Sequence, residues 1–312
     1  MRLALSLVVI LLAAASLATG PADLLAIWPS DSDLARTLFV ELRLPRTGLA
    51  LLIGAGLGAA GAATQGLLRN PLASPDVLGP SGGAALGAVL GTYFAGAGLL
   101  AVTFGALAGA GLALVALIAL AGRGAGTARL LLAGVAVSAL SGALINLALS
   151  LAPSPYALYD ALFWLLGSLA DRSLPQLAVA APLIIVGLLL LLHDAARLDA
   201  LVLGEDVAAS LGVAVAPLRA RVVLATTLIT GAGVAVAGSI GFVGLVVPHL
   251  VRPFTGQRPG AAILPAALAG AALLLAADLA VRLIPAAQEL KLGVFTALIG
   301  APFFLWLILR AR

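Results

Sequence analysis

The run RVVLATTLITGAGVAVAGSIGFVGLVVPHL, residues 221–250, decides how this chain folds. At about 1.5 Å per residue a continuous helix of that length would reach about 45 Å, whereas the hydrocarbon core of a bilayer is about 30 Å thick. The run is too long for one crossing, yet no charge falls between Arg221 and His249. Gly238, Gly241, Gly244 and Pro248 gather in its second half, where glycine and proline weaken a helix. The run therefore reads as one full span followed by a short or re-entrant helix.

The rest of the chain has the same character. It is 62% hydrophobic and only 10% charged over 312 residues, with a mean hydropathy of +1.19. Soluble domains carry roughly 45–50% apolar and about 25% charged residues, so this composition needs lipid as its solvent. Apolar runs near one membrane thickness recur at 4–20, 47–68, 77–95, 98–121, 130–152, 176–193, 261–281 and 293–309. With 221–250 split in two, they give an all-α polytopic membrane protein of about ten transmembrane helices, a single domain over residues 1–312.

Arginine and lysine placement tests that count. Ten spans with the N-terminus inside put Arg2, Arg69, Arg123, Arg129, Arg197, Arg219, Arg221, Arg252, Arg258, Arg310 and Arg312 on the inner side. Arg36, Arg43, Arg46, Arg172, Arg282 and Lys291 then lie outside, a ratio of 11 to 6. Nine spans would give 9 to 8. The stretch MRLALSLVVILLAAASLATG has the basic start and small-residue end of a cleaved signal peptide, but it is also long enough to be the first span, and the topology works better if it stays.

Several chemistries are excluded. No cysteine is present, so there is no disulfide or thiolate centre. Two histidines and three glutamates leave little for a metal site, and no metal is expected. The arginines stand singly between apolar runs, unlike a nucleic-acid-binding patch. The lone lysine, Lys291 in ELKLG, is flanked by leucines, whereas a phosphate-cradling loop needs Gly-Lys-Ser/Thr. Either another subunit supplies energy or an ion gradient does. The gradient alternative, a secondary transporter, would centre on Asp278 in LLLAADLAVRLI, with Arg282 four residues on along the same helical face; a local ion pair is the simpler account.

Four further stretches carry polar chemistry. GEDVAASLGV, 204–213, reads as a short helix at the inner face, started by Glu205 and Asp206 and ended by Gly212; it suits docking onto a cytoplasmic partner, with a plain connector as the alternative. In ELRLPRTG, 41–48, at the end of the first outer loop, Arg43 and Arg46 either snorkel to headgroups or, with Arg282, form a patch for an extracytoplasmic partner. In RNPLASPDVLG, 69–79, Pro71 and Pro75 break helix within a membrane-depth region, which reads as a hinge beside a pathway or an ordinary turn. GAGLGAAG at 54–61 matches GAGVAVAG at 231–238, an offset of 177 that also lays Pro71 on Pro248; a true inverted repeat would put Pro248 near the outer face, against the charge count. Small residues four apart, as at Gly54 and Gly58 or Gly105 and Gly109, fit close helix packing.

LRLPRTGLALLIGAGLGAAGAATQGLLRNPLASPDVLG, TARLLLAG, WLLGSLADRS, LGEDVAASLGV, GSIGFVGLVVPHLVR and LGVFTALIGAPFFLWLI together resemble the FecCD-type permeases. These are the membrane subunits of type II ABC importers for iron–siderophore complexes, haem and vitamin B12. The resemblance runs from about residue 36 to the C-terminus. It implies a second permease subunit, as a homodimer or related pair, in a bacterial inner membrane. It also implies cytoplasmic ATP-binding subunits, which carry ATP and Mg that this chain does not, and a periplasmic substrate-binding protein. No residue would be catalytic. By similarity Gly204, Glu205, Asp206, Ala209, Leu211 and Gly212 form the ATPase-coupling helix. Arg43, Arg46 and Arg282 match arginines that meet the binding protein. Asn70, Leu72, Thr127 and Ala128 match the cytoplasmic gate, with Pro71 and Pro75 as its hinge. Ala128 replaces a small hydroxyl residue of the vitamin B12 pattern, and ELKLG departs from the usual ELPIG.

Overall fold

The computed structural model describes residues 1–20, 27–94, 98–122, 126–285 and 289–310; Arg123 and Arg312, counted above as inner arginines, lie outside them. Each long apolar run is helical. In chain order α1 spans Arg2–Ala18, α2 Ser32–Thr37, α3 Leu44–Leu67, α4 Pro80–Phe94 and α5 Leu99–Ala121. Then come α6 Thr127–Ser150, α7 Pro155–Leu165, α8 Leu174–His193, α9 Ala195–Leu201 and α10 Glu205–Ser210. The chain continues with α11 Val215–Ala237, α12 Val243–Val251, α13 Pro259–Leu283 and α14 Leu292–Arg310. Among the described residues, six helical stretches are long and apolar enough to cross a membrane by length and composition: Ser32–Leu67, Leu100–Ala121, Thr127–Ser150, Leu174–His193, Val215–Ala237 and Pro259–Leu283. Arg2–Ala18 and Leu292–Leu305 are apolar but shorter.

The 221–250 run breaks where its glycines predict. Helix α11 stops at Ala237 and α12 starts at Val243. Gly238 takes φ +70°, and a Cβ there would lie 2.1 Å from the Trp164 carbonyl oxygen, so only glycine fits. Phe242 also holds a positive φ, +68°, at the turn into α12.

Helix α3 is the hub. Its Gly56 meets Ile229 of α11 and Ile184 of α8, and its Gly54 and Gly58 meet Gly270 and Ala266 of α13. Ile53 also meets Gly233 of α11 and Gly48 meets Leu177 of α8, so the paired numbers run oppositely for α11 and α13 and together for α8: α3 is antiparallel to the first two and parallel to the third. A Cβ on Gly58 would sit 2.1 Å from the Ala266 carbonyl oxygen, so these backbones touch. Gly83 and Gly87 of α4 meet Gly109 and Gly105 of α5 in the same way. Lipid tails are as apolar as leucine, so close van der Waals packing between small residues is what holds such helices together.

Two expectations are corrected. ELRLPRTG does not end a loop: Ser32–Leu67 is continuously helical, with Leu38–Arg43 in π-helical form just before Pro45. Proline has no N–H for the preceding turn, and a widened turn accommodates the lost bond. The repeat also fails at its prolines. The glycine-rich stretches do run antiparallel, on α3 and α11, but Pro248 lies in α12, a new helix that returns toward the inner face. There His249 and Leu245 share a small pocket with Pro71 and Leu72, and Arg252 donates to Gln65 Oε1 at 2.6 Å. Arg252 thus lies at the same end of the bundle as Arg69, with which the charge count groups it.

The stretch 69–79 is more than a surface turn. Arg69 turns the chain with φ +48°, Asn70 Oδ1 accepts from the Leu72 N–H at 2.9 Å, and the chain then climbs back among the helices. A 3-10 turn, Pro75–Leu78, leads into α4. Pro75 packs on Gly244 of α12, which also touches the Leu57 carbonyl. Leu57 is ten residues from the inner end of α3, a depth of about 15 Å. Helix α4 thus starts near mid-membrane.

Candidate functional site

At the outer face the C-terminal end of α1, the start of α3 and the end of α13 converge. The last carbonyls of α1 have no intrahelical partner, and guanidinium groups satisfy them. Arg43 donates to the Leu17 and Ala18 carbonyls at 3.0 and 2.6 Å. Arg282 donates to the Ser16 and Thr19 carbonyls at 3.0 and 3.2 Å. Ser16 Oγ lies 2.8 Å from Thr47 Oγ1, tying α1 to α3. Asp278, 1% exposed, accepts from Arg46 at 2.9 and 3.0 Å and is also paired with Arg282. Arg46 reaches Glu289 as well, with its Nη1 3.1 Å from Oε2. The ion pair expected between Asp278 and Arg282 is present, but it is part of a four-residue network that brings in α3 and the segment before α14.

Arg43, Arg46 and Arg282 line one pocket of about 490 Å³ with Asp171, Glu289 and Arg172. Sequence reasoning gave Arg172 no role. It stacks 4.7 Å from the centre of the Trp164 ring. Burial lowers its pKa and so does the charge of Arg46, while Asp171 opposes them; the result is about 10. Beside it Lys291 lies 5.1 Å from the centre of the Phe163 ring. The aromatic residues come from α7, a helix the sequence did not signal because its eleven residues are too short for a span.

At the opposite face, α10 is the helix predicted in GEDVAASLGV. Gly204 (φ +108°) and Gly212 (φ +83°) flank it, and Glu205 and Asp206 occupy its first turn. Ala208 is fully buried, whereas Asp206, Ala209, Leu211 and Gly212 face outward. One oxygen of Glu205, Oε1, accepts from Arg219 of α11 at 2.9 Å and from the Thr127 hydroxyl at 3.2 Å. Thr127 is the first residue of α6, so a single carboxylate ties α10 to two long helices. Neighbouring ion pairs fix the base. Asp194, fully buried, accepts from Arg197 at 2.7 Å and from Arg221 at 2.6 and 2.9 Å. Burial pushes its carboxyl up, but hydrogen bonds and charge from Arg221 and Arg197 outweigh that and hold it below the usual carboxylate range. Asp199 accepts from Arg258 at 2.8 Å and from the Gly260 N–H at 2.7 Å.

The residues predicted for a gate divide between two places. Asn70, Pro71 and Leu72 are exposed at the inner end of α3; Pro71 and Leu72 adjoin Leu245, Val246, Phe303 and Phe304. Thr127 is turned to Glu205, and Ala128 is exposed beside it. Pro75 lies deeper, against α12.

The model of the FecCD transport family matches residues 3–310. The hemin transport system permease protein HmuU of Yersinia pestis is 39% identical over 98% of this chain and 93% of its own length. The vitamin B12 import system permease protein BtuC of Vibrio cholerae is 42% identical over 89% and 85%. Among solved structures, an inward-facing conformation of an ABC transporter described as of metal-chelate type superposes with a TM-score of 0.88. It is 32% identical and covers 98% of this chain and 97% of its own.

Proposed function

Because the chain belongs to the FecCD transport family, we propose that it is the multi-pass permease subunit of an ATP-driven importer in a bacterial cytoplasmic membrane. Its cargo would be an iron chelate, haem or a cobalamin, as the names of its relatives indicate. The cargo would cross unchanged by alternating access. ATP and Mg would be held by separate cytoplasmic subunits, and a second permease copy would complete the conduit. The observation that carries this reading is α10: a short helix at the arginine-rich face whose outward side is open and whose inward side is tied through Glu205 to α6 and α11. A motor docked there can push on two long helices at once.

The outer pocket supports an acidic partner. Carboxylates of a substrate-binding protein would meet Arg43, Arg46, Arg172 and Arg282 there, in competition with Glu289. Arg172→Glu, in the same pocket but outside the Asp278 network, should weaken capture of the binding protein at least tenfold while the ATPase still copurifies. Undiminished capture would remove the docking role. A gradient-driven transporter built on Asp278 gains no support from a carboxylate already satisfied by two guanidinium groups. Reconstituting the chain alone in liposomes and finding uptake driven by a proton or sodium gradient would overturn the importer reading.

A further inference from the structure

Asp76 stands where a charge is hardest to keep. Leu57, level with Pro75, sets its depth at about 15 Å from the inner end of α3. A second ruler agrees: a Cβ on Gly134 of α6 would lie 2.4 Å from the Val77 carbonyl oxygen, and Gly134 is seven residues, about 10 Å, from the start of α6. At this depth the Asp76 side chain is exposed rather than enclosed. Its Oδ1 accepts from the Ser81 hydroxyl at 2.8 Å, and its backbone carbonyl accepts from the Ser138 hydroxyl at 3.3 Å. With Ser81, Thr230 and Ser239 it borders a small crevice beside the α11–α12 break. A carboxylate open to hydrocarbon at such a depth is strongly unfavourable, so intramembrane charges face water-filled cavities or protein partners. Irregular backbone obeys the same constraint, and the 70–79 segment is irregular.

We infer that the face bearing Asp76, Ser81 and Ser138 is a wall of the aqueous cargo pathway, and that Asp76 supplies a fixed negative charge to it. This wall favours cationic and hydrogen-bond-donating groups on the cargo and retards anionic ones. The inference rests on the importer reading for the identity of the pathway, but its test does not depend on the motor.

The chain has no cysteine, so a single introduced thiol reports on its own position. Ser138→Cys and, separately, Asp76→Cys would be made in the full chain. Intact membrane vesicles would then be treated with two membrane-impermeant reagents, trimethylammonium-ethyl and sulfonato-ethyl methanethiosulfonate. Both thiols should react, whereas Leu112→Cys on the outer surface of α5 should not. In the Ser138→Cys chain, adding Asp76→Asn should lower the ratio of cationic to anionic reaction rates by about tenfold, as expected for removing a unit charge a few ångströms away in a wet, partly screened site. Protection of both thiols would overturn the assignment of this face to the pathway. Modification with an unchanged ratio would overturn the role of the charge. Copurification of the unmodified chain with an ATPase tests the importer reading separately, so the two can fail independently.

Discussion

At Asp278 one buried carboxylate faces two guanidinium groups that border the outer pocket. Removing one partner of such a set costs about 3–5 kcal/mol, because it leaves buried charge uncompensated. Asp278→Asn should therefore lower the midpoint of thermal unfolding in detergent markedly; an unchanged midpoint would show that the network is not structural. Asp194 gives a pH-dependent counterpart. Its folded pKa lies below the unfolded value of about 3.9, so its stabilisation is present above that value and is lost as pH falls through the folded one. The stability gap between the native chain and Asp194→Asn should be widest near neutral pH and should shrink in acid. A gap independent of pH would assign the loss to packing. Sequence patterns did not single out Asp194 or Asp76, since a lone acid says nothing about which distant arginine or serine will reach it.

Among elements, the glycine seams make the sharpest predictions. A methyl on Gly58 or Gly61 would lie 2.1 or 1.9 Å from a neighbouring carbonyl oxygen, whereas one on Gly111 would meet nothing within 4 Å. Overpacking commonly costs about 1–3 kcal/mol and backbone contacts yield least, so Gly61→Ala should depress the yield of folded protein while Gly111→Ala should not. At α10, Glu205→Gln weakens a charge-assisted bond to Arg219 and Thr127. Cargo moved per ATP hydrolysed should fall by about tenfold, the value of roughly one such bond; Thr127→Val should fall in the same direction and add little in the double variant. An unaltered ratio would sever α10 from α6. Helix positions were legible because rise per residue against bilayer thickness leaves few choices, and the turn chemistry of GEDVAASLGV was local. By contrast α7 and the 3-10 turn at Pro75–Leu78 are too short to leave a periodic signal. The π-helical turn before Pro45 turned an apparent loop into helix.

On the scale of the whole molecule, the arginine count separated the two ends of the helical bundle. It set α10, Arg69, Arg252 and Arg258 on one face and Arg43, Arg46 and Arg282 on the other, and the ion pairs gather accordingly. What the sequence could not give was depth. The prolines of 69–79 and the glycines of 238–242 announce breaks, but only the packing of Pro75 on Gly244 shows that the first break lies against the helix that follows the second. The outer network has a mechanical corollary. Guanidinium groups and a hydroxyl pair stitch α1 to α3 and α13, and α3 and α13 already touch backbone to backbone. These three helices form a keel with no slack in it. Whatever rocking carries cargo across must be taken up by the other flank, so spin labels on α1 and α13 should hold a constant separation through the cycle while α4 and α5 swing past them.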